Sequence, residues 1–237
     1  MISVSIIIPV YNEERTILTI LEKIKDKIDE LKYDIDFEVI IVDDHSLDKT
    51  SKILKENKHL YNLLIENSKN KGKGFSVNQG IQSASKEIIL IQDADLEYLP
   101  ENYENLIKPF INSNADVVYG SRFRTTEVNR VIFFWHYIAN KLITFTSNCF
   151  SNLNLSDVEV GYKLFRKNLL DNIVLTENSF GFEIEITHKL ASLKKKVKIF
   201  EVGISYYARD YSEGKKIGAK DALRAIYCIL KFGIFKR

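Results

Sequence analysis

The chain predicts an α/β domain with a mixed, mainly parallel central sheet flanked by helices, and three observations carry that reading. Short, continuous apolar runs recur at residues 4–9, 37–42 and 88–92, the pattern of strands buried on both faces. Segments with apolar residues at helical spacing alternate with them, as in strand–helix–strand units. Acidic and polar residues gather directly after the runs, where open parallel sheets place their ligands.

Taken in order, residues 4–9 form the first strand, and Ile17, Leu18, Leu21, Ile24, Ile28 and Leu31 follow at helical spacing. Residues 37–42 form the second strand and close on Asp43 and Asp44. A short helix over 48–57 follows, for which Asp48 and Thr50 supply capping oxygens. A third strand spans 63–66, a helix 74–84, a fourth strand 88–92, a helix 103–110 and a fifth strand 117–119. After Arg122 the pattern changes: residues 130–150 are aromatic-rich, with Arg130, His136 and Lys141 interspersed, and read as a helix that leaves the sheet. A strand at 161–165, a helix at 182–193 and a strand at 197–202 complete a catalytic domain of residues 1–212. Residues 213–237 form a separate basic helix, carrying Lys215, Lys216, Lys220, Arg224, Lys231, Lys236 and Arg237 against Glu213 and Asp221. Its apolar residues Ile217, Leu223, Ile226, Tyr227 and Leu230 approximate one face, to be packed on the domain or laid on a membrane surface.

A length of 237 residues and a hydrophobic content of 45% suit one domain with a substantial core. With 34 basic and 32 acidic residues the net charge is +2, which gives no global case for nucleic acid as a partner. Cys149 and Cys228 lie far apart in apolar surroundings and make neither a disulfide framework nor a metal cluster, as in a reduced, cytoplasmic chain. The first strand begins within a few residues of the N-terminus, so no leader is expected. No run approaches the roughly 18 uncharged apolar residues that a membrane span needs.

The sharpest chemical signal is at residues 87–95, where an apolar run ends in Asp93 and Asp95. Paired carboxylates in such a place serve either as caps of the following turn or as oxygen ligands of a hard divalent cation facing an anion. Asp43, Asp44, Ser46, Asp48 and Thr50 offer the same choice after the second strand. The stretch Asn70-Lys71-Gly72-Lys73-Gly74 has the glycines and lysines of a phosphate cradle without the spacing of a dinucleotide fingerprint or P-loop.

These blocks, with Pro9-Val10-Tyr11-Asn12-Glu13, Gly120-Ser121-Arg122 and the stretch from Ser156 to Arg166, occur in a recognisable order across nearly the whole chain. In that order the chain resembles the family 2 inverting glycosyltransferases of GT-A fold, and within them the polyprenyl- or dolichyl-phosphate mannosyl- and glucosyltransferases. The resemblance implies a nucleoside-diphosphate sugar donor, of the UDP-glucose or GDP-mannose class, and Mg2+ or Mn2+. It implies that Pro9, Tyr11 and Glu13 line the nucleotide pocket and that Asp44 meets the base. Asp93 approaches the nucleoside or the diphosphate, Asp95 coordinates the cation, and Lys73 joins the phosphate loop. It also implies a loop over 206–218 that closes on the donor phosphates through Arg209, Lys215 and Lys216.

Transfer to a hydroxyl calls for a general base, and no Glu-Asp pair stands in the corresponding region, whereas a lipid phosphate is already anionic. The resemblance therefore points to polyprenyl phosphate as acceptor, with Asp157 in the active site and Arg122, Lys163 and Arg166 as phosphate contacts. A glycan hydroxyl acceptor in surface-polysaccharide assembly is the alternative; a nucleotidyltransferase and a non-catalytic nucleotide-sugar-binding subunit are further competing readings. The aromatic residues of 130–150 and the basic terminal helix suit a peripheral contact with a cytoplasmic membrane face or with an anchoring protein.

Overall fold

A computed structural model of the chain describes residues 1–124, 130–131, 133–171, 173–194, 196–208 and 219–235. Strand β1 (Ile2–Val10) is central, pairing in parallel with β2 (Ile35–Asp43) on one side and β4 (Ile88–Ile91) on the other. Ile6, Ile7 and Ile8 are inaccessible to solvent, which is why this run is continuous rather than alternating. β3 (Leu63–Glu66) pairs in parallel with β2 and forms one edge.

Beyond β4 the sheet changes character. β5 (Val117–Ser121) does not touch β4; β6 (Lys163–Arg166) lies between them, antiparallel to both, and β7 (Ile199–Gly203) pairs in parallel with β5. Among the described residues the order is β3-β2-β1-β4-β6-β5-β7. The sheet is thus mixed and mainly parallel, with one reversed strand.

Helices cover both faces. α1 (Ile17–Leu31) buries Ile17, Ile20, Leu21, Ile24 and Leu31, the stripe its spacing predicts. α2 (Thr50–Glu56) is short, and Asp48 Oδ1 accepts the Thr50 N–H at 2.9 Å just before it. α3 (Lys73–Ser83) approaches β1 at Gly80, where a Cβ would collide with the Ile7 side chain. α4 (Tyr103–Asn112) buries Tyr103, Leu106, Ile107 and Phe110.

α5 (Phe134–Ser151) starts four residues later than the sequence suggests, after an extended Phe133. A one-turn helix, α6 (Lys167–Leu170), follows β6. α7 (Phe182–Ala191) ends two residues before its apolar pattern does, and the Ser192 hydroxyl donates to the His188 carbonyl at 2.7 Å. The last helix, α8 (Ala219–Ile229), runs into a π-helical turn over Leu230–Ile234 and packs on α5 and α7. It is latched by Glu177, a buried carboxylate bonded by Arg224 Nη2 at 2.6 Å and by Lys231 Nζ at 3.1 Å. Cys149 is exposed and Cys228 buried, so neither pairs with the other.

Candidate active site

The carboxyl ends of β1, β2 and β4 open into one cleft of about 660 Å³. It is lined by Pro9, Asp44, Lys73, Asp93, Asp95, Arg122 and Glu159, and α5 supplies His136, Asn140 and Ile143. Asp221 and Ala222 of α8 reach the same cleft, so the terminal helix contributes to its wall.

The loops after β1 and β2 are laced together. Asn12 N–H donates to Ser46 Oγ at 3.0 Å, Glu13 N–H to Thr50 Oγ1 at 2.9 Å and Leu47 N–H to Asn12 Oδ1 at 2.7 Å. Asn12, His45 and Leu96, each at a strand-end turn of this cleft, have φ of 51°, 64° and 62°. Left-handed backbone at non-glycine residues is costly, and around Asn12 and His45 the crossing bonds hold it.

Asp44 works on the phosphate-like loop. Its carboxylate accepts the N–H groups of Lys71 at 2.9 Å and Gly72 at 2.6 Å and the Asn67 amide at 2.7 Å. Gly72 is required there by its φ of 98° and by the Asn178 carbonyl, which a Cβ would overlap.

Lys73 bridges two carboxylates, Asp93 Oδ1 at 2.7 Å and Glu183 Oε1 at 3.0 Å. Burial opposes its charge, but the two carboxylates outweigh that and raise its pKa. Asp93 is pressed on its other side by Gly161, where any Cβ would collide with Oδ2. Gln92, buried beneath, takes the Tyr103 hydroxyl at 2.8 Å and the Tyr162 hydroxyl at 2.6 Å, and gives its amide to the Asp93 and Tyr98 carbonyls. Asp95 lines the cleft and accepts the Glu97 N–H at 3.1 Å.

Arg122 follows β5 and is gripped by Asp157, Nε to Oδ2 at 2.7 Å and Nη2 to Oδ1 at 2.7 Å, with its own N–H on Oδ2 at 3.1 Å. Asp157 is fully buried and does not line the cleft. Burial works against its ionised form, and the Arg122 charge and hydrogen bonds overcome this, so its carboxyl lies below the usual range. Arg122 also stacks 5.3 Å from the centre of the Tyr206 ring.

The structure therefore brings Pro9, Tyr11, Glu13, Asp44, Lys73, Asp93, Asp95 and Arg122 to one cleft. Arg166 is not among them. Because β6 runs antiparallel to β4, Arg166 pairs with Ile88 at the far end of the sheet, where it bonds Glu87 and the Ala115 carbonyl. Lys163 is buried, with its ammonium on the Val158 and Val160 carbonyls, so it too is no phosphate contact. Arg209 and Lys215, like most of the expected lid at 206–218, lie outside the described residues. Glu159 and Glu183 carried no role in the sequence reading. They reach the cleft from distant segments, and the Glu183 signal was its place in the first turn of a helix otherwise buried.

Among the described residues no group of three or more His, Cys, Asp or Glu side chains is arranged to hold a metal. Asp93 and Asp95 make an all-oxygen pair, the type of donor that a hard divalent cation takes.

The profile of glycosyl transferase family 2 matches residues 5–174. The chain belongs to that family. This transferase is 29% identical over 234 residues to the dolichol-phosphate mannosyltransferase of Pyrococcus furiosus, covering 97% of this chain and 64% of that protein's length. It is 26% identical to a UDP-N-acetylglucosamine–dolichyl-phosphate N-acetylglucosaminyltransferase of Methanococcus voltae, covering 95% and 94% of the two chains. Its fold is that of glucosyl-3-phosphoglycerate synthase of Mycobacterium tuberculosis, with a TM-score of 0.73 at 18% identity, covering 98% of this chain and 80% of that one. That synthase has also been crystallised with Mn2+, UDP and phosphoglyceric acid. The GT-A fold expected from the sequence is the fold found, and the protein is a glycosyltransferase.

Proposed function

We propose that this glycosyltransferase moves a hexose from a nucleoside-diphosphate sugar to a polyprenyl phosphate in a single inverting displacement. The observation that carries the acceptor is the double nature of α5. Its inner side, with His136, Asn140 and Ile143, walls the cleft, while Phe134, Trp135, Leu142 and Phe145 stand exposed on the same helix. An amphiphile with a phosphate head and an apolar tail fits both sides at once.

In this reading Pro9, Tyr11 and Glu13 bind the nucleoside, and Asp44 shapes the phosphate loop through the N–H groups it holds. Asp95 and Asp93 would hold Mg2+ or Mn2+, which would supply charge neutralisation to a departing diphosphate. Lys73 holds Asp93 in place through its ion pair. Arg122, fixed by Asp157, orients the acceptor phosphate, which needs no proton removed before it attacks. Asp157 therefore acts through Arg122, which gives a role to a residue that does not reach the cleft.

α5 and α8 together expose a broad apolar surface, including Leu223, Tyr227 and Phe235 on the terminal segment, beside Arg224 and Lys231. No helix among the described residues is long and apolar enough to cross a membrane. Peripheral contact with an anionic bilayer suits this surface and the lipid acceptor. The test offers UDP-glucose and GDP-mannose against undecaprenyl phosphate, dolichyl phosphate and soluble glycans, with Mn2+ or with chelator, and determines the anomeric configuration of the product. Transfer to a lipid phosphate with inversion is the expected result. Transfer only to a glycan, or retention of configuration, overturns the acceptor or the mechanism respectively.

A further inference from the structure

Two carboxylate oxygens in the cleft have no hydrogen-bond partner among the described residues: Glu159 Oε1 and Glu183 Oε2, both shielded from solvent. Glu183 is 4% exposed and spends its other oxygen on Lys73, at 3.0 Å. Buried acceptors left unmade are costly, and native structures rarely tolerate them without a ligand to satisfy them. Both residues line the same cleft as Asp93 and Gly161.

The chemistry these oxygens ask for is specific. They accept hydrogen bonds, so they are no seat for a phosphate, and the ammonium groups beside them are already engaged, Lys73 by two carboxylates and Lys163 by the Val158 and Val160 carbonyls. The guanidinium that lines the cleft is that of Arg122. What suits an acidic floor beside the diphosphate position is a neutral group rich in hydroxyl donors.

We propose that Glu159 and Glu183 bind the hydroxyls of the transferred sugar and restrict the donor to neutral, hydroxylated hexoses, excluding uronic acids. This rests on the transferase reading above. A carboxylate on the sugar ring meets two acidic side chains at this floor, and a deoxy sugar leaves one of them unpaired.

Titration calorimetry in Mn2+ tests it, with UDP, UDP-glucose and UDP-glucuronate and with GDP and GDP-mannose, on the wild type, Glu159→Gln and Glu183→Gln. The wild type should bind a neutral nucleotide sugar more tightly than its nucleoside diphosphate and UDP-glucuronate at least tenfold more weakly than UDP-glucose. Each glutamine variant should lose about tenfold of the preference for the neutral sugar, the worth of a hydrogen bond to a charged group. Circular dichroism checks that both variants fold, and Glu159→Gln alone suffices if Glu183→Gln does not. Variants that bind nucleoside diphosphates and keep the wild-type sugar preference overturn the assignment while sparing the transferase reading. Wild-type protein that binds no nucleoside diphosphate overturns that reading and this one with it.

Discussion

Gly161 and Asp93 are in such close approach that no side chain fits between them. The glycine, just before the reversed strand, thereby sets the position of a carboxylate at the end of β4. Gly161→Ala should displace Asp93 from Lys73 and lower donor affinity by about tenfold or more, with a stability cost of about 1–3 kcal/mol from overpacking. Nucleotide calorimetry and urea unfolding of the variant measure the two effects separately.

Asp95→Ala should reduce transfer at least about a hundredfold while leaving the fold intact, because Asp95 lies in the turn after β4, outside the hydrophobic core, and lines the cleft. A transfer assay across a Mn2+ series, with thermal unfolding alongside, checks it. Near-normal turnover with unchanged metal dependence would remove Asp95 from the metal site.

Asp157→Ala should cost about 3–5 kcal/mol, since it strands a guanidinium among buried groups. The pair also has a pH signature. Asp157 titrates lower in the folded protein than its ordinary value of 3.8, so its stabilisation is complete above that value and is lost as pH falls below it. Unfolding midpoints of wild type and Asp157→Asn should differ most near neutrality and converge below about pH 4.

His188 gives a separate window. It is buried between α5 and α7, with Nε2 3.1 Å from Ser147 Oγ, and burial lowers its pKa from 6.5 to about 4. The unfolded chain binds a proton before the folded one does, so stability falls as pH drops from about 6.5 to about 4. The full effect is about 3 kcal/mol, and His188→Asn should flatten that part of the profile in urea titrations.

Replacing Phe134 and Trp135 together by serine should reduce sedimentation with anionic vesicles and transfer to a vesicle-borne lipid phosphate by about tenfold, a loss set by the apolar area withdrawn from the bilayer. Hydrolysis of the donor in solution should be unchanged. Equal loss of both would place these residues in the fold rather than at a membrane.

The parallel half was legible because each of its signals is local: Ile6 to Ile8 declare a doubly buried strand, and Asp93 and Asp95 follow their own apolar run within four residues. Arg166 was misplaced because nothing in Lys163 to Arg166 records strand direction, and reversing β6 carries its far end away from the cleft. Asp157 and Arg122 are 35 positions apart, so their mutual burial is a tertiary fact. Glu159 and Glu183 converge from separate segments in the same way, and only the packing of α7 under the cleft shows that their oxygens face it. The expectation for Asp44 named its place, while its work on the Lys71 and Gly72 N–H groups depends on a loop more than 25 residues later.

The reversed strand also orders how the protein can be built. β1 to β4 need nothing beyond Ile91 to pair with one another, so this part of the sheet can assemble while the chain is still being synthesised. β5 has no partner in that sheet; it must wait until residues 163–166 emerge and seat between it and β4. During that interval β4 presents a bare apolar edge of the kind that recruits other chains. Slowed translation between residues 121 and 166 is therefore the stage at which this chain is most exposed to aggregation, and ribosome-bound chains halted there should engage holding chaperones more than chains halted past β6.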